Sequence, residues 1–220
     1  MRCQTLWEAR WILLVLVVLT AGAWFVTPWL AVAPAAMLVF TFCFFRDPQR
    51  VIPGGEGDVV SPADGRVTDI IELEEDEVTK TRMRRVGIFL SVFDVHVNRM
   101  PLAGTVTYSA NRDGSYHDAR SPLASTHNTA RTWGLDCGGQ TLVVRQITGA
   151  IARRIVPWAK VGDQLGRGQH FGMIRFGSRT EIYLPPGWPL CVGVGEHVRG
   201  GSTIIARTVT TGPSAREDQA

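Results

Sequence analysis

Residues 168–185 read GQHFGMIRFGSRTEIYLP, and how this stretch is taken decides the fold. Two short apolar runs, FGMIRF and TEIYLP, lie on either side of Gly177-Ser178. Both are short for a helix, and both are bounded by glycine or proline, which is the pattern of strands. Working outward, the same grammar recurs in VVSPADGRVTDIIEL, RRVGIFLSVFDVHV, GTVTYSA, QTLVVRQITG and STIIARTV. The predicted class is α+β and predominantly β, with one compact β-rich domain over residues 46–208 and a flexible tail over 209–220. The one soluble stretch with helical character, residues 149–158, reads equally well as a strand.

A weak internal repeat refines this. Val161-Gly-Asp-Gln-Leu-Gly-Arg-Gly168 aligns without a gap to Val194-Gly-Glu-His-Val-Arg-Gly-Gly201, and an apolar run follows each block. Two similar turn-and-strand units are predicted, with glycine supplying positive φ at the tight turns. Units of this kind build the barrel-sandwich folds of lipoyl and biotinyl carriers. Those carriers need a lysine at a hairpin tip, and neither block has one.

The N-terminal quarter is different in kind. No charged residue occurs from Trp11 to Phe45. As one helix that stretch would be roughly 50 Å long, against a hydrocarbon core of about 30 Å. Proline at 28 removes a helix donor near the middle, so two apolar helices are predicted, over residues 10–26 and 29–45. Residues 1–45 thus form a membrane segment. A cleaved signal peptide is the competing reading, since Ala-Gly-Ala follows the first run. Arg2 and Arg10 before the segment and Arg46 and Arg50 after it favour a hairpin with both ends, and the domain, on the cytoplasmic side of the cell membrane. A single kinked span would put the domain on the other face.

With 45% apolar residues and a net charge of +3, the chain has no basic run that would argue for nucleic acid. Cys3, Cys43, Cys137 and Cys191 lack metal-ligand spacing, so neither a zinc site nor a disulfide framework is expected.

Five blocks carry the chemistry: FFRDPQR (44–50), VVSPADGRV (59–67), LSVFDVHVNRMPLAGTV (90–106), RQITGAIARRIV (145–156) and GQHFGMIRFGSR (168–179). In this order they resemble the short form of phosphatidylserine decarboxylase, from Phe44 to Arg207. The resemblance implies a proenzyme that cuts itself before a serine, which becomes an N-terminal pyruvoyl group on a small chain that stays associated with the large one. That places the cut between Gly177 and Ser178. A serine hydroxyl is a weak nucleophile, so its attack on the preceding carbonyl needs a base and an acceptor for the oxyanion. Glycine at 177 permits the close approach. The pyruvoyl ketone derived from Ser178 then forms a Schiff base with the substrate amine and takes the electrons left by carbon dioxide, so no separate cofactor and no metal are needed. The implied reaction converts phosphatidylserine to phosphatidylethanolamine at a lipid surface. An ether-linked analogue of the lipid would present the same head group, and a homo-oligomer is compatible with the family.

Ser202, in Gly201-Ser202-Thr203, is a rival for the cut. It aligns with Gln169 of the first repeat, where a turn role suffices, and cutting there would leave a fragment with one strand. Asp64, in SPADG, matches an aspartate that longer relatives use to activate the cleavage serine, and it also reads as an Asp-Gly turn. His96 matches a histidine that the longer relatives keep near the substrate, and a hydrogen-bonded strand histidine is its plain alternative. The relay histidine of those relatives corresponds to Arg99, which cannot act as a base. Either His96 takes over the base role or Asp64 acts on Ser178 without an intermediary. Arg99 then becomes a candidate phosphate or carboxylate contact, with a strand-end salt bridge as its alternative.

His117 and His127 lie where the short relatives carry an Asn-Glu-Arg-Asn segment, of which Asn128 and Arg131 are the nearest remnant. His170 lies on the approach to the cleavage site, and loop exposure explains it equally well; Arg153, Arg154 and Trp158 suit either a membrane surface or a charged rim. A non-catalytic membrane-tethered adaptor leaves Gly177-Ser178 without a purpose. A serine-lysine protease finds no nucleophile pairing for Lys80 or Lys160, the only lysines.

Overall fold

A computed structural model of the chain describes residues 3–55, 57–150, 154–175 and 178–209. It opens with two apolar helices, α1 (Cys3–Val26) and α2 (Pro28–Phe44). Thr27 between them is extended, and Pro28 takes the first helical position, where a missing N–H costs nothing. The helices run antiparallel. Leu6, Ala9 and Leu13 of α1 meet Phe40 and Phe44 of α2 in one cluster, which Phe45, Val156, Trp158 and Met173 close from the domain side. An Arg175–Glu8 ion pair joins the same two parts. At the far end Trp24, Phe25, Val26 and Trp29 are exposed, so the hairpin tip is an apolar surface without protein cover. Among the described residues only Gln4–Val26 is long and apolar enough to cross a membrane, and Pro28–Phe44 is a shorter apolar helix.

The domain follows as β1 (Asp58–Val60), β2 (Gly65–Glu74), β3 (Arg82–Leu90), β4 (Val97–Arg99), β5 (Gly104–Arg112), α3 (Pro122–His127), β6 (Ala130–Asp136) and β7 (Thr141–Ile147). It continues through β8 (Arg154–Pro157), β9 (Gln164–Leu165), β10 (His170–Arg175), β11 (Ser178–Leu184), β12 (His197–Val198) and β13 (Ile204–Arg207). Eight strands form one sheet in the order β12-β2-β3-β11-β7-β6-β5-β9, three form β4-β10-β8, and two form β1-β13. The class is α+β and predominantly β. The segment over 149–158 is not helical where it is described: Arg154–Pro157 is strand β8, paired to β10. Residues 151–153 lie outside the described residues. The soluble helix is α3 instead, started by Ser121, whose Oγ accepts from the Leu123 N–H, and by Pro122 in its first turn.

The repeat is built as two matching units. Gly162 and Gly195 have φ of 96° and 91°, and Gly168 and Gly201 have φ of 75° and 76°. The Gly162 N–H donates to the Val106 carbonyl as the Gly195 N–H does to Val67, and the Gln169 N–H donates to Gly166 as the Ser202 N–H does to Arg199. One unit thus docks on β5 and the other on β2.

Strand β11 is central, between β3 and β7, and all seven of its residues are buried. Strand alternation gives it two faces. Ile182 and Leu184 enter the main core with Val86, Ile88, Leu90, Trp133, Leu135 and Phe171, and Ser178 and Thr180 share that face. Arg179, Glu181 and Tyr183 take the other face, where burial requires every charge to be matched.

Candidate active site

Ser178 is the first residue of β11 and pairs with Leu90 of β3. It is fully buried, and its Oγ has no hydrogen-bond partner among the described residues. Gly177, the other half of the expected scissile bond, lies outside the described residues. A buried hydroxyl without a partner is costly, since it loses its water and gains nothing in return.

Two residues along the same face, Thr180 is held by a buried polar chain. Asn98 Nδ2 donates to Thr180 Oγ1 at 3.0 Å and to the Pro62 carbonyl at 3.3 Å. Gln146 Nε2 donates to Asn98 Oδ1 at 2.7 Å, and Trp133 Nε1 donates to Gln146 Oε1 at 2.8 Å. Through Asn98 the SPADG loop is fastened to the strand that begins at Ser178.

Asp64 lies in that loop, one residue before β2. Gly65 after it has φ of 146°, and a Cβ there would meet the Phe89 carbonyl oxygen at 2.2 Å, so the turn requires glycine. The Phe89–Leu90 end of β3 stands between the start of β2 and the start of β11. Two strand spacings of about 4.8 Å therefore separate the backbones of the Asp64 turn and Ser178. The Asp64 carboxylate accepts from Arg50 Nη2 at 2.6 Å and from the Gly200 N–H at 2.8 Å. Burial raises its pKa by more than Arg50 and the Gly200 N–H lower it. Nothing among the described residues hydrogen-bonds Asp64 to Ser178.

His96 is fully buried, and its ring lies 4.3 Å from that of Phe44, centroid to centroid. Nδ1 stands 2.9 Å from the Asp94 carbonyl oxygen, which fixes the proton on Nδ1 and leaves Nε2 as the acceptor nitrogen. Burial pushes its pKa down to about 4, against a smaller upward pull from Asp94, so the ring is neutral at pH 7. The backbone beside it is tied to β10, where the Ile174 N–H donates to the His96 carbonyl.

Arg99 points into a different place. Its guanidinium pairs with Asp47 at 2.6 Å and donates to the carbonyls of Pro48 and Gly168. Together with Arg50, Arg167, Asp47 and Gln169 it lines a recess of about 600 Å³. His170 is buried at the start of β10 and faces Asp47, which removes the exposed-loop reading of it. His117 and His127 face each other on the surface around α3. Asn128 is buried and braces that loop through His117 and the Thr148 carbonyl, while Arg131 lies over Trp133.

Sequence reasoning missed Asp94, Asn98, Gln146 and His197. Asp94 Oδ2 accepts from the Ser91 N–H and Oγ, and Oδ1 lies 3.0 Å from His197 Nε2. Those bonds outweigh burial and hold its pKa low. Asp94 and Asn98 stand in the same block as His96, which was the available signal; the pairing with His197 spans the chain and leaves no local trace. No group of three or more metal-binding side chains occurs among the described residues.

Fold and site together describe a small β-rich domain on an apolar hairpin, with a buried serine at the head of its central strand whose hydroxyl has no partner among the described residues. A family model described as phosphatidylserine decarboxylase matches residues 37–206. The chain is 46% identical over 193 residues to the phosphatidylserine decarboxylase proenzyme of Symbiobacterium thermophilum, covering 87% of this chain and 90% of that protein. It is 43% identical over 201 residues to the proenzyme of Carboxydothermus hydrogenoformans, covering 91% and 94%. Against the proenzyme of Nitratidesulfovibrio vulgaris the identity is 48% over 174 residues, covering 78% and 80%. The chain belongs to the phosphatidylserine decarboxylase family, in its short form. It is a decarboxylase proenzyme whose reaction turns phosphatidylserine into phosphatidylethanolamine and carbon dioxide.

Proposed function

We propose that the chain cuts itself between Gly177 and Ser178, and that Ser178 becomes the pyruvoyl group on which the lipid is decarboxylated. The observation that carries this reading is the buried Ser178 Oγ, without a partner among the described residues, at the start of a strand buried along its whole length. Ser178 Oγ attacks the carbonyl carbon of residue 177; the new C–O bond replaces the C–N bond and gives an ester. Loss of the Ser178 α-proton and cleavage of its Cβ–O bond release the large chain with a terminal carboxylate. Water then replaces the amine nitrogen, which leaves as ammonia, and the ketone remains. When formed, that ketone supplies the electron sink for loss of carbon dioxide.

His96 is assigned as the group that takes the Ser178 proton. It is neutral, and with Nδ1 committed to the Asp94 carbonyl its basic nitrogen is Nε2. A neutral ring can accept a proton at Nε2, and burial makes it a weaker base than a histidine in water. Asp64, with Arg50, sets the charge beside the loop that Asn98 fastens to β11. Arg99, with Arg50 and Arg167, lines the recess assigned to the lipid phosphodiester. The small chain stays in place after the cut because β11 is paired along its length to β3 and most of its length to β7, and β12 and β13 pair with β2 and β1.

The hairpin α1–α2 is assigned to the lipid, entering and leaving on the same face of the cell membrane. Its antiparallel packing, its exposed apolar tip and the arginines at both ends support a domain on the cytoplasmic side. Intact-mass measurement of the wild type beside Ser178→Ala tests the core of the proposal. The wild type should give a small chain beginning at position 178 and blocked at its N-terminus, and the variant a single uncut chain. An uncut wild type that still decarboxylates the lipid would sink it.

A further inference from the structure

The turn between β3 and β4 carries a contradiction. It is held rigidly: the Asp94 N–H donates to the Ser91 carbonyl, the Asp94 carboxylate takes both Ser91 donors, and His197 meets its other oxygen. Yet at its apex Phe93 is 75% exposed. Fixing an aromatic ring in water on a braced turn gains nothing for the fold.

Its position resolves this. Arg46 donates one Nη to the Cys43 carbonyl in the last turn of α2 and the other to the Phe93 carbonyl. One guanidinium thus ties the turn to the foot of the hairpin, and Phe44 beside it packs on the His96 ring. Further along α2, Val39 and Phe42 are exposed too, so the helix and the turn that Arg46 ties to its foot both present apolar side chains. Arg46 has no carboxylate partner among the described residues, and its charge is felt at His96. The turn also joins Leu90, the pairing partner of Ser178, to His96.

We propose that Phe93 is a lipid-contacting wedge: with Arg46 it dips into the anionic surface of the bilayer and brings the phosphatidylserine head group to the loop that leads to Ser178. An aromatic ring beside a cation is the pairing that suits the interface of an anionic leaflet. The inference rests on the hairpin being the membrane anchor, and its test separates the two.

Full-length protein with Cys3, Cys43, Cys137 and Cys191 replaced by serine is spin-labelled singly at position 93, at 25 in the hairpin tip, or at 117 on the exposed loop. Each is reconstituted in phosphatidylcholine–phosphatidylserine vesicles, and its accessibility to oxygen and to a nickel chelate is compared. Label 93 should be shielded from nickel and open to oxygen like label 25, while label 117 stays open to nickel. Label 93 in water with label 25 in lipid overturns the wedge and leaves the anchor standing. Both labels in water overturn both. Label 93 shielded from both reagents, with broadening that grows with protein concentration, would mean that a second copy covers the turn, which also overturns the wedge. In vesicle assays Phe93→Asp should raise the apparent KM for phosphatidylserine about tenfold with self-cleavage complete, and Phe93→Trp should restore it. An unchanged KM in Phe93→Asp counts against the proposal.

Discussion

The two faces of β11 are buried to the same degree and are treated in opposite ways. On the outer face Glu181 accepts from Ser125 Oγ, Arg179 Nε and the Tyr183 hydroxyl, and Arg85 stands at 3.4 Å. Arg179 also reaches Asp69, and Arg145 reaches Tyr183 and Asp76. Each of these charges has a partner. On the inner face Thr180 is bonded, but Ser178, two residues away, has none among the described residues. Arg85 Nε has no hydrogen-bond partner among the described residues, but every carboxylate and guanidinium of the outer face is paired. Such a network fixes structure, whereas a buried hydroxyl left unsatisfied needs a reason, and a catalytic role is one.

The contrast breaks most sharply at Ser178. Ser178→Ala should abolish both cleavage and decarboxylation, read by intact mass and product formation. Its thermal midpoint should stay within a few degrees of the wild type, because an orphan hydroxyl contributes nothing to hold the strand. A variant that unfolds early would mean that Ser178 is a structural residue and that the faces are alike.

Glu181→Ala is the converse. It strips Arg179 and Arg85 of a common partner in a buried setting, a change that costs about 3–5 kcal/mol. Denaturant unfolding should show that loss, and the fraction of protein that does fold should still cut at position 178. Normal stability without cleavage would make Glu181 part of the chemistry.

The outer face of β11 also titrates differently from the groups around the expected cleavage site. Burial raises Glu181, but Arg179, Arg85 and Ser125 outweigh it and the net shift is downward. A carboxyl lowered on folding adds stability above its unfolded pKa and loses it as pH falls through the folded value. Asp64 is shifted upward, so it adds stability only as pH falls through its raised folded pKa. The stability of the wild type relative to Glu181→Gln should therefore shrink on acidification, and relative to Asp64→Asn it should grow. His96 follows the first sign: lowered from 6.5 to about 4, it stays neutral when folded and costs stability as pH drops between those values. For one buried ring that window amounts to on the order of 3 kcal/mol. Unfolding midpoints of Glu181→Gln, Asp64→Asn and His96→Gln beside the wild type across pH 4–8 measure these slopes, and equal slopes for Asp64→Asn and Glu181→Gln would erase the distinction.

What could be read from the sequence follows from how local each signal is. The strand character of FGMIRF and TEIYLP, the two helices around Thr27-Pro28 and the paired glycines at 162 and 195 are written in short runs. Ser121-Pro122 was a legible helix start inside SPLASTH, but six residues of α3 lack the periodicity that marks a longer helix. The partners of the site were not legible. Arg50 with Asp64, Arg99 with Asp47, Glu181 with Ser125 and Asp94 with His197 join positions 14 to 103 residues apart. Register decides those meetings, and register is a property of the assembled sheet.

The smallest expected effect falls on the serine that most resembles Ser178 on paper. Ser202 also follows a glycine, but its unit repeats the geometry of Gly166–Gln169: its N–H donates to Arg199 as that of Gln169 donates to Gly166. Gly201 at φ 76° makes the turn, and the Arg199 N–H is taken by Thr203 Oγ1, so the backbone here is already provided for without the Ser202 hydroxyl. Ser202→Ala should leave the mass of both chains, apart from the lost oxygen, and the rate of cleavage unchanged, at a cost within about 0.5 kcal/mol. Loss of cleavage in this variant, with Ser178→Ala still cut, would move the scissile bond to the second repeat. The Ser178 oxygen, without a partner among the described residues, would then need a structural explanation that its own strand does not supply.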